Sequence, residues 1–128
     1  MKKNLFTFVI LFLMSALAMA HPKHPAGKVL RHVVIFKFKE SSSAEDVEKV
    51  AQAFANLKKQ IKEVKAFEWG INNSPEHFDQ GFTHCFVLTF ANEHDRDVVY
   101  QKHPAHQAFQ EILKPHMDKV FVVDYWTK

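Results

Sequence analysis

The chain has few of the residues that cross-link or interrupt a fold. Its 128 residues include one cysteine, Cys85, with three glycines and five prolines. A single cysteine excludes an internal disulfide bond, so the folded state must be held by an apolar core or by association of subunits. Because Cys85 falls within an apolar strand pattern, we expect a small buried residue there rather than a reactive thiol.

The chain also has little excess charge of either sign and lacks recognisable cofactor motifs. The formal net charge is +3, and two of the 17 basic residues but none of the 14 acidic ones lie in the first twenty residues, which leaves +1 for the rest. A chain so close to neutral lacks the basic surface typical of nucleic-acid binding. No Cys-x-x-Cys-His haem motif is present, and His103 and His106 have no acidic or cysteine partner at a recognised metal-ligand spacing. The sequence therefore predicts no cofactor, no metal site and no nucleic-acid partner.

Long hydrophobic runs are confined to the start of the chain. Lys2-Lys3 precedes an apolar stretch from Leu5 to Met14, and small residues follow as far as Ala18-Met19-Ala20. This order is typical of a secretory signal peptide with an A-x-A cleavage site. We therefore expect the signal peptide to span residues 1–20 and the mature protein to be secreted or periplasmic, without membrane contact after cleavage. An uncleaved membrane anchor is the alternative.

The remaining 108 of the 128 residues suffice for one domain with one core. Residues 21–28 contain two prolines and a glycine and are expected to form a flexible lead-in, followed by a single domain over residues 29–128. Cleavage would give His21 a free amine, so a copper site at His21, together with His24, stays open beside the simpler expectation of a solvated segment.

Strand and helix patterns follow one another in a defined order through the domain. Strands are predicted over residues 30–39, 64–71, 82–90 and 120–125, a helix over Ser41–Ile61, and two short helical pieces after Asn92 and after His103-Pro104. The first strand, for example, alternates His32, Val34 and Phe36 with Val33, Ile35 and Lys37. The order βαββαβ indicates an α+β, ferredoxin-like domain, in which helices cover one face of a four-stranded antiparallel sheet.

Both faces of the predicted strands carry apolar residues. Helices cover only one face, and an exposed second face would be polar in a monomer. The economical cover is a second copy of the chain, packed sheet to sheet in a closed barrel that also protects the sheet edges. We therefore predict a homodimer of the dimeric α/β-barrel type; a monomer with an ordinary mixed face is the alternative.

Five short motifs resemble the stress-responsive dimeric α/β-barrel family. They are His32–Lys39, Phe67–Gly70, Gly81–His84, His103–His106 and Val122–Tyr125, in this order over nearly the whole mature chain. The resemblance implies the dimer. It implies no single activity, because most members are tied only loosely to stress responses, while some plant members are polyketide cyclases that close rings by aldol condensation.

The resemblance also implies site residues. In those cyclases a histidine of the His-Pro-Ala-His motif is the base and a tyrosine six residues earlier assists it, and His106 and Tyr100 occupy these positions. Two further pocket histidines of that branch match His32 and His84. Proton abstraction next to a carbonyl needs an uncharged base near neutral pH, and the positive end of the helix dipole would keep His106 uncharged in the first turn of its helix.

These observations predict a ligand cavity between sheet and helices. His32 and His84 fall on apolar strand faces, where a polar ring needs a partner. We expect a small, partly apolar molecule to bind near His32, His84, Tyr100 and His106, with Trp69 and Phe36 also contacting it. Two alternatives stay open: a lyase or cyclase with His106 as general base and Tyr100 as donor, and a structural or interaction protein without a ligand.

Overall fold

The computed structural model describes residues 27–128, so the predicted signal peptide and most of the predicted lead-in lie outside the described residues. The elements are β1 (Leu30–Phe38), α1 (Ala44–Gln60), β2 (Ala66–Ile71), β3 (His84–Phe90), a π-helix (Asp95–Tyr100), α2 (Pro104–Leu113) and β4 (Met117–Trp126). This order confirms the predicted ferredoxin-like βαββαβ fold. Over the same residues, no helix is both long and apolar enough to cross a membrane.

The four strands form one antiparallel sheet in the order β2-β3-β1-β4. β1 therefore lies inside the sheet and pairs with a strand on each side. His32 of β1 lies opposite Leu88 on β3 and Asp124 on β4. Residues paired across antiparallel strands point to the same face, so this register sets the side chains of His32 and Asp124 next to each other on the helix side of the sheet.

Some predicted strand limits differ from the structure. β3 begins at His84 rather than Phe82, because the Phe82 N–H donates to the carbonyl of Asp79 in a turn. β4 extends over Met117–Trp126 rather than starting at Val120, because it pairs with almost the whole length of β1. β2 likewise begins later than predicted, after the turn that follows α1.

The first helix begins at the predicted serine cluster. The Ser43 hydroxyl accepts a hydrogen bond from the backbone N–H of Asp46 at 3.1 Å and donates to the Asp46 carboxylate at 2.7 Å. These bonds satisfy a backbone donor that the helix itself leaves unpaired. The helix then buries Val50, Phe54 and Leu57 on one face, as the spacing predicts.

The core lies between the two α-helices and the helix-facing side of β1, β2 and β3. Phe54 of α1 is at its centre: its ring stacks on Phe109 of α2 at 4.4 Å between centroids and contacts Phe86 of β3 at 4.7 Å. The buried apolar residues around it are Leu30, Val34, Phe36, Val50, Ala51, Leu57, Ile61, Val64, Leu88, Phe90, Tyr100 and Leu113.

The opposite face of the sheet is apolar and incompletely buried. Val33, Ile35 and Cys85 are half-buried there, and Phe121 is 52 % exposed. Cys85 is therefore not the buried residue that the sequence predicts, because its side chain points away from the helices. Both faces of β4 are exposed, since Val122, whose side chain lies on the helix side of the sheet, is also 46 % exposed. Apolar residues thus lie on both faces, as predicted.

Candidate functional site

A cavity of about 540 Å³ lies between the sheet, the π-helix and α2. Its polar lining includes His32, Arg96, Asp97, Tyr100, Gln101, His106 and Asp124. Its apolar lining includes Val34, Phe36, Phe54, Phe109, Leu113, Met117, Val120 and Val122. A cavity of this size, mostly apolar with a few converging polar groups, has the character of a small-molecule site.

His32 enters the cavity from β1 as half of a histidine–carboxylate pair. Its Nδ1 lies 2.6 Å from Oδ1 of Asp124, and the residue is 6 % exposed. An ionised carboxylate only accepts hydrogen bonds, so Nδ1–H donates to Asp124. The pair fixes the orientation of the ring and leaves Nε2 as the nitrogen that Asp124 does not use.

Tyr100 and His106 form a second pair on the helix side of the cavity. Their ring centroids are 4.1 Å apart, and both residues are buried. Burial lowers the pKa of His106 below its ordinary value; nearby His32 and His103 lower it further, while a hydrogen bond to the Gln101 carbonyl opposes the change. Burial also raises the pKa of Tyr100, with the charge of Asp124 adding to it. A neutral imidazole and a neutral phenol therefore lie side by side. The neutral His106 agrees with the sequence argument, but burial rather than the helix dipole is the main cause.

The chain around α2 explains how His106 reaches the cavity. The His103 side chain accepts a hydrogen bond from the Ala105 N–H at 3.1 Å, and Pro104 is the first helical residue, as predicted. His106 then lies in the first turn and points toward the sheet. Its Nδ1 lies 3.4 Å from the Gln101 carbonyl oxygen, which accepts the hydrogen bond.

The segment before α2 is a π-helix rather than an ordinary helical piece. Asn92 caps the helical segment that leads into it, as predicted, with its side-chain oxygen accepting from the Asp95 N–H at 2.8 Å. At the other end, the Gln101 N–H donates to the carbonyl of Arg96, five residues earlier. Single turns of this kind occur frequently at functional sites. Here the turn supplies both Arg96 and Tyr100 to the cavity.

The two pairs meet across the cavity. The rings of His32 and Tyr100 lie 5.9 Å apart, edge to face. Phe36 lines the same cavity from β1. The structure thus brings together four of the residues that the sequence singles out: His32, Phe36, Tyr100 and His106.

The structure corrects the predicted grouping for His84 and Trp69, which do not line this cavity. His84 lies opposite Phe36, four residues along β3 from the position opposite His32, or about 13 Å away. Its ring stacks on Trp69 at 6.1 Å between centroids. Burial lowers the pKa of His84, and its Nδ1 lies 2.8 Å from the Thr83 hydroxyl. Trp69 instead borders an open hollow of about 730 Å³ beneath the β2–β3 loop.

Asp124 and Arg96 are the site residues that sequence reasoning missed. Arg96 Nη1 lies 3.1 Å from Oδ2 of Asp124, and its Nε lies 2.6 Å from Oδ1 of Asp97. A lone acidic residue in an apolar strand was the available signal for Asp124, but its partner becomes clear only from the β1–β4 register. No periodic signal identifies Arg96, because a π-helix does not keep the α-helical spacing.

Metal ligands are not grouped in the described part of the chain. Within residues 27–128, no three histidine, cysteine, aspartate or glutamate side chains are arranged so that they could hold a metal ion. The titratable side chains that line the cavity are two imidazoles, a phenol, three carboxylates, an ammonium group and a guanidinium.

A family profile described as the Stress responsive A/B Barrel Domain matches residues 30–127. The chain belongs to this family. Among its relatives, the stress-response A/B barrel domain-containing protein HS1 of Arabidopsis thaliana is 40 % identical over 96 residues, which cover 75 % of this chain and 87 % of HS1. Olivetolic acid cyclase of Cannabis sativa is 27 % identical over 97 residues, 75 % of this chain and 94 % of the cyclase.

Solved structures share the fold of this A/B barrel protein. The hydroxynitrile lyase of Passiflora edulis superposes with a TM-score of 0.73 at 25 % identity, over 78 % of this chain and 94 % of the lyase. A dimeric protein of unknown function with a ferredoxin-like fold from Bacteroides fragilis gives 0.62 at 26 % identity, over 76 % and 94 % of the two chains. Structural neighbours of this A/B barrel protein thus include dimeric ferredoxin-like proteins.

Proposed function

We propose that this stress-response A/B barrel protein binds a small, partly apolar molecule in the cavity beside His32, Tyr100 and His106. The observation that carries the proposal is the convergence of three polar rings from three elements on one mostly apolar cavity. A purely structural role would be favoured if these rings were packed with no space beside them. The cavity therefore weighs against that alternative.

The lining indicates what the ligand must offer. Phe36, Phe54 and Phe109 provide an apolar wall, which suits a hydrocarbon or aromatic body. At the polar end, the neutral phenol of Tyr100 can donate a hydrogen bond and the neutral ring of His106 can accept one. The ligand class is therefore an apolar molecule with at least one oxygen function, such as a carbonyl.

Native mass spectrometry tests this proposal. Protein purified from the exported fraction of its own cells, and kept under gentle conditions, should carry a small molecule that His106→Ala loses. The His84→Ala variant is the matched control, because His84 is a buried histidine outside the cavity, and it should retain the molecule. Wild-type protein with nothing bound would instead favour the structural alternative.

A second candidate is catalysis by a lyase or cyclase of the polyketide-cyclase type. His106 would take a proton from a carbon next to a carbonyl, and Tyr100 would donate a hydrogen bond to the enolate oxygen that develops. Two observations favour it. The neutral rings of Tyr100 and His106 lie 4.1 Å apart between centroids, and the chain is similar to olivetolic acid cyclase in sequence and to a hydroxynitrile lyase in structure.

Turnover of a β-keto substrate tests the catalytic candidate. We expect His106→Ala and Tyr100→Phe to abolish turnover, because each removes one of the two proton-handling groups. Tyr125→Phe is the control, since Tyr125 lies on the other face of the sheet, outside the cavity, and the change removes only a hydroxyl. Equal activity in Tyr100→Phe and Tyr125→Phe would contradict the proposed role of Tyr100.

We also propose that the protein is a homodimer. The support is the apolar sheet face that the helices leave uncovered, the exposure of β4 on both sides, and the dimeric ferredoxin-like neighbours. A second copy packed on that face would remove this apolar area from water and would protect the sheet edges.

Export of the mature chain is a proposal that rests on the first twenty residues of the sequence. Amino-terminal sequencing of the protein recovered from the periplasm or the medium should start at His21. Protein that keeps Met1 and stays with the cell membrane would instead show an uncleaved anchor.

A further inference from the structure

Arg96 is linked to both histidines of the candidate site, His32 and His106, through two separate sets of contacts. Its side chain contacts Oδ2 of Asp124, whose other oxygen holds Nδ1 of His32. Its backbone carbonyl accepts the N–H of Gln101, whose own carbonyl accepts from Nδ1 of His106. One residue of the π-helix is thus linked to both histidines.

The carboxylate of Asp124 is shared between two partners. Arg96 lies 3.1 Å from Oδ2 and His32 lies 2.6 Å from Oδ1. The Arg96 side chain is 15 % exposed and the Asp124 side chain 31 %, so solvent screens this contact less than it screens a fully exposed ion pair. The guanidinium also donates to both carboxylate oxygens of Asp97, at 2.6 and 3.1 Å, and this second carboxylate is 53 % exposed and therefore better screened.

Other groups also surround His32 in the cavity. Tyr100 of the π-helix contacts its ring edge to face and is a neutral phenol, and His106 of α2 is a neutral imidazole beyond Tyr100. Phe90 of β3 also lies edge to face with the ring, at 6.3 Å between centroids. Glu111 and Lys114, near the end of α2, also line the cavity, but the ion-pair contact to His32 comes from Asp124 of β4, which Arg96 of the π-helix contacts in turn.

We propose that Arg96 is a positioning residue. Its guanidinium holds the Asp124 carboxylate against Nδ1 of His32 and offsets part of the negative charge of that carboxylate, so that Nε2 of His32 remains available to a ligand. Arg96 stays charged at all relevant pH values, which makes this restraint permanent. Without it, Asp124 would have His32 as its remaining close partner, and an unshared carboxylate favours the protonated imidazolium. The inference rests on the proposed function only in that a ligand uses His32.

Histidine ring NMR on the intact, ¹⁵N-histidine-labelled protein tests this role. At pH 7, Arg96→Met should increase the protonated fraction of His32 by about twofold or more, because one positive charge next to Asp124 is lost. Arg31→Met is the matched control: Arg31 precedes His32 in the chain, but its side chain donates to the Thr89 hydroxyl on the opposite face of the sheet. It should leave the His32 signals as in wild type.

An unchanged protonated fraction in Arg96→Met, or the same change in Arg31→Met, would overturn the proposal. If Arg96→Met does not fold, Arg96→Gln keeps most of the side-chain length without the charge, and the same increase is required of it. The measurement needs no ligand. A changed His32 signal together with an empty wild-type protein in mass spectrometry would therefore reject the proposed function while the role of Arg96 stands.

Discussion

At the scale of single residues, burial determines the chemistry of the cavity. It lowers the pKa of His106 and raises that of Tyr100, so both rings are neutral over a wide range around pH 7. Ordinary values of about 6.5 for histidine and about 10 for tyrosine would leave a narrower range. A neutral base next to a neutral donor is the state that both candidate functions require.

The lowered pKa of His106 has a consequence for stability. Below about pH 6.5 the unfolded chain binds a proton at His106 more readily than the folded protein does. Protonation therefore favours the unfolded state, and the free energy of unfolding decreases as the pH falls from about 6.5 toward the lower pKa of His106 in the folded protein. We expect the urea midpoint to decrease on acidification, and to decrease less in His106→Gln. His77→Gln, a change in the exposed β2–β3 loop, should keep the wild-type dependence. An identical pH dependence for His106→Gln and wild type would contradict this account of His106.

The site residues show what a sequence can reveal at this scale. His32, Phe36, Tyr100 and His106 were predictable, from strand alternation and from short motifs that resemble a family. Asp124 was not, because its role depends on lying opposite His32 in a neighbouring strand. His84 carries the same residue type and the same apolar pattern as His32, yet the register places it at another part of the sheet.

At the scale of elements, local signals predicted β1 and α1 well, since alternation and capping act within one segment. The limits of β3 and β4 depend on which partner strand is available, so the sequence predicts them less well. The π-helix was not predictable, because it departs from the 3.6-residue period on which helix prediction rests.

The cap of α1 gives a direct test of a local signal. We expect Ser43→Ala to lower the free energy of unfolding by about 1 kcal/mol, because the backbone N–H of Asp46 loses its acceptor. Urea unfolding at a fixed protein concentration measures this change. Ser41→Ala changes the same residue type two positions earlier and should have an effect within about 0.5 kcal/mol. Equal losses in both variants would show that Ser43 is not the cap.

At the scale of the whole molecule, the apolar sheet face is the feature that a single chain leaves unexplained. The sequence already predicts it, since apolar residues occupy both faces of the strands. The structure adds that β4 is exposed on both sides, with Val120, Val122 and Val123 each at least 40 % exposed. An apolar surface of this extent is typical of an interface.

Size-exclusion chromatography with light scattering tests the assembly. The wild-type protein should have the mass of a dimer. Val123→Lys places a charge on the uncovered face and should shift the protein toward monomer, because a charge buried in an apolar interface lacks a partner. Ile112→Lys alters an equally exposed apolar residue on the outer side of α2 and should remain a dimer. A monomeric wild type would contradict the barrel.

The central claim is that a ligand occupies the cavity beside His32 and His106, and histidine ring NMR locates it most directly. Titration of the ¹⁵N-histidine-labelled protein with the apolar anion 1-anilinonaphthalene-8-sulfonate should move the ring signals of His32 and His106. The signals of His84, which is equally buried but lies outside the cavity, should stay in place. Movement of His84 alone, or no movement of any of the three, would contradict the account.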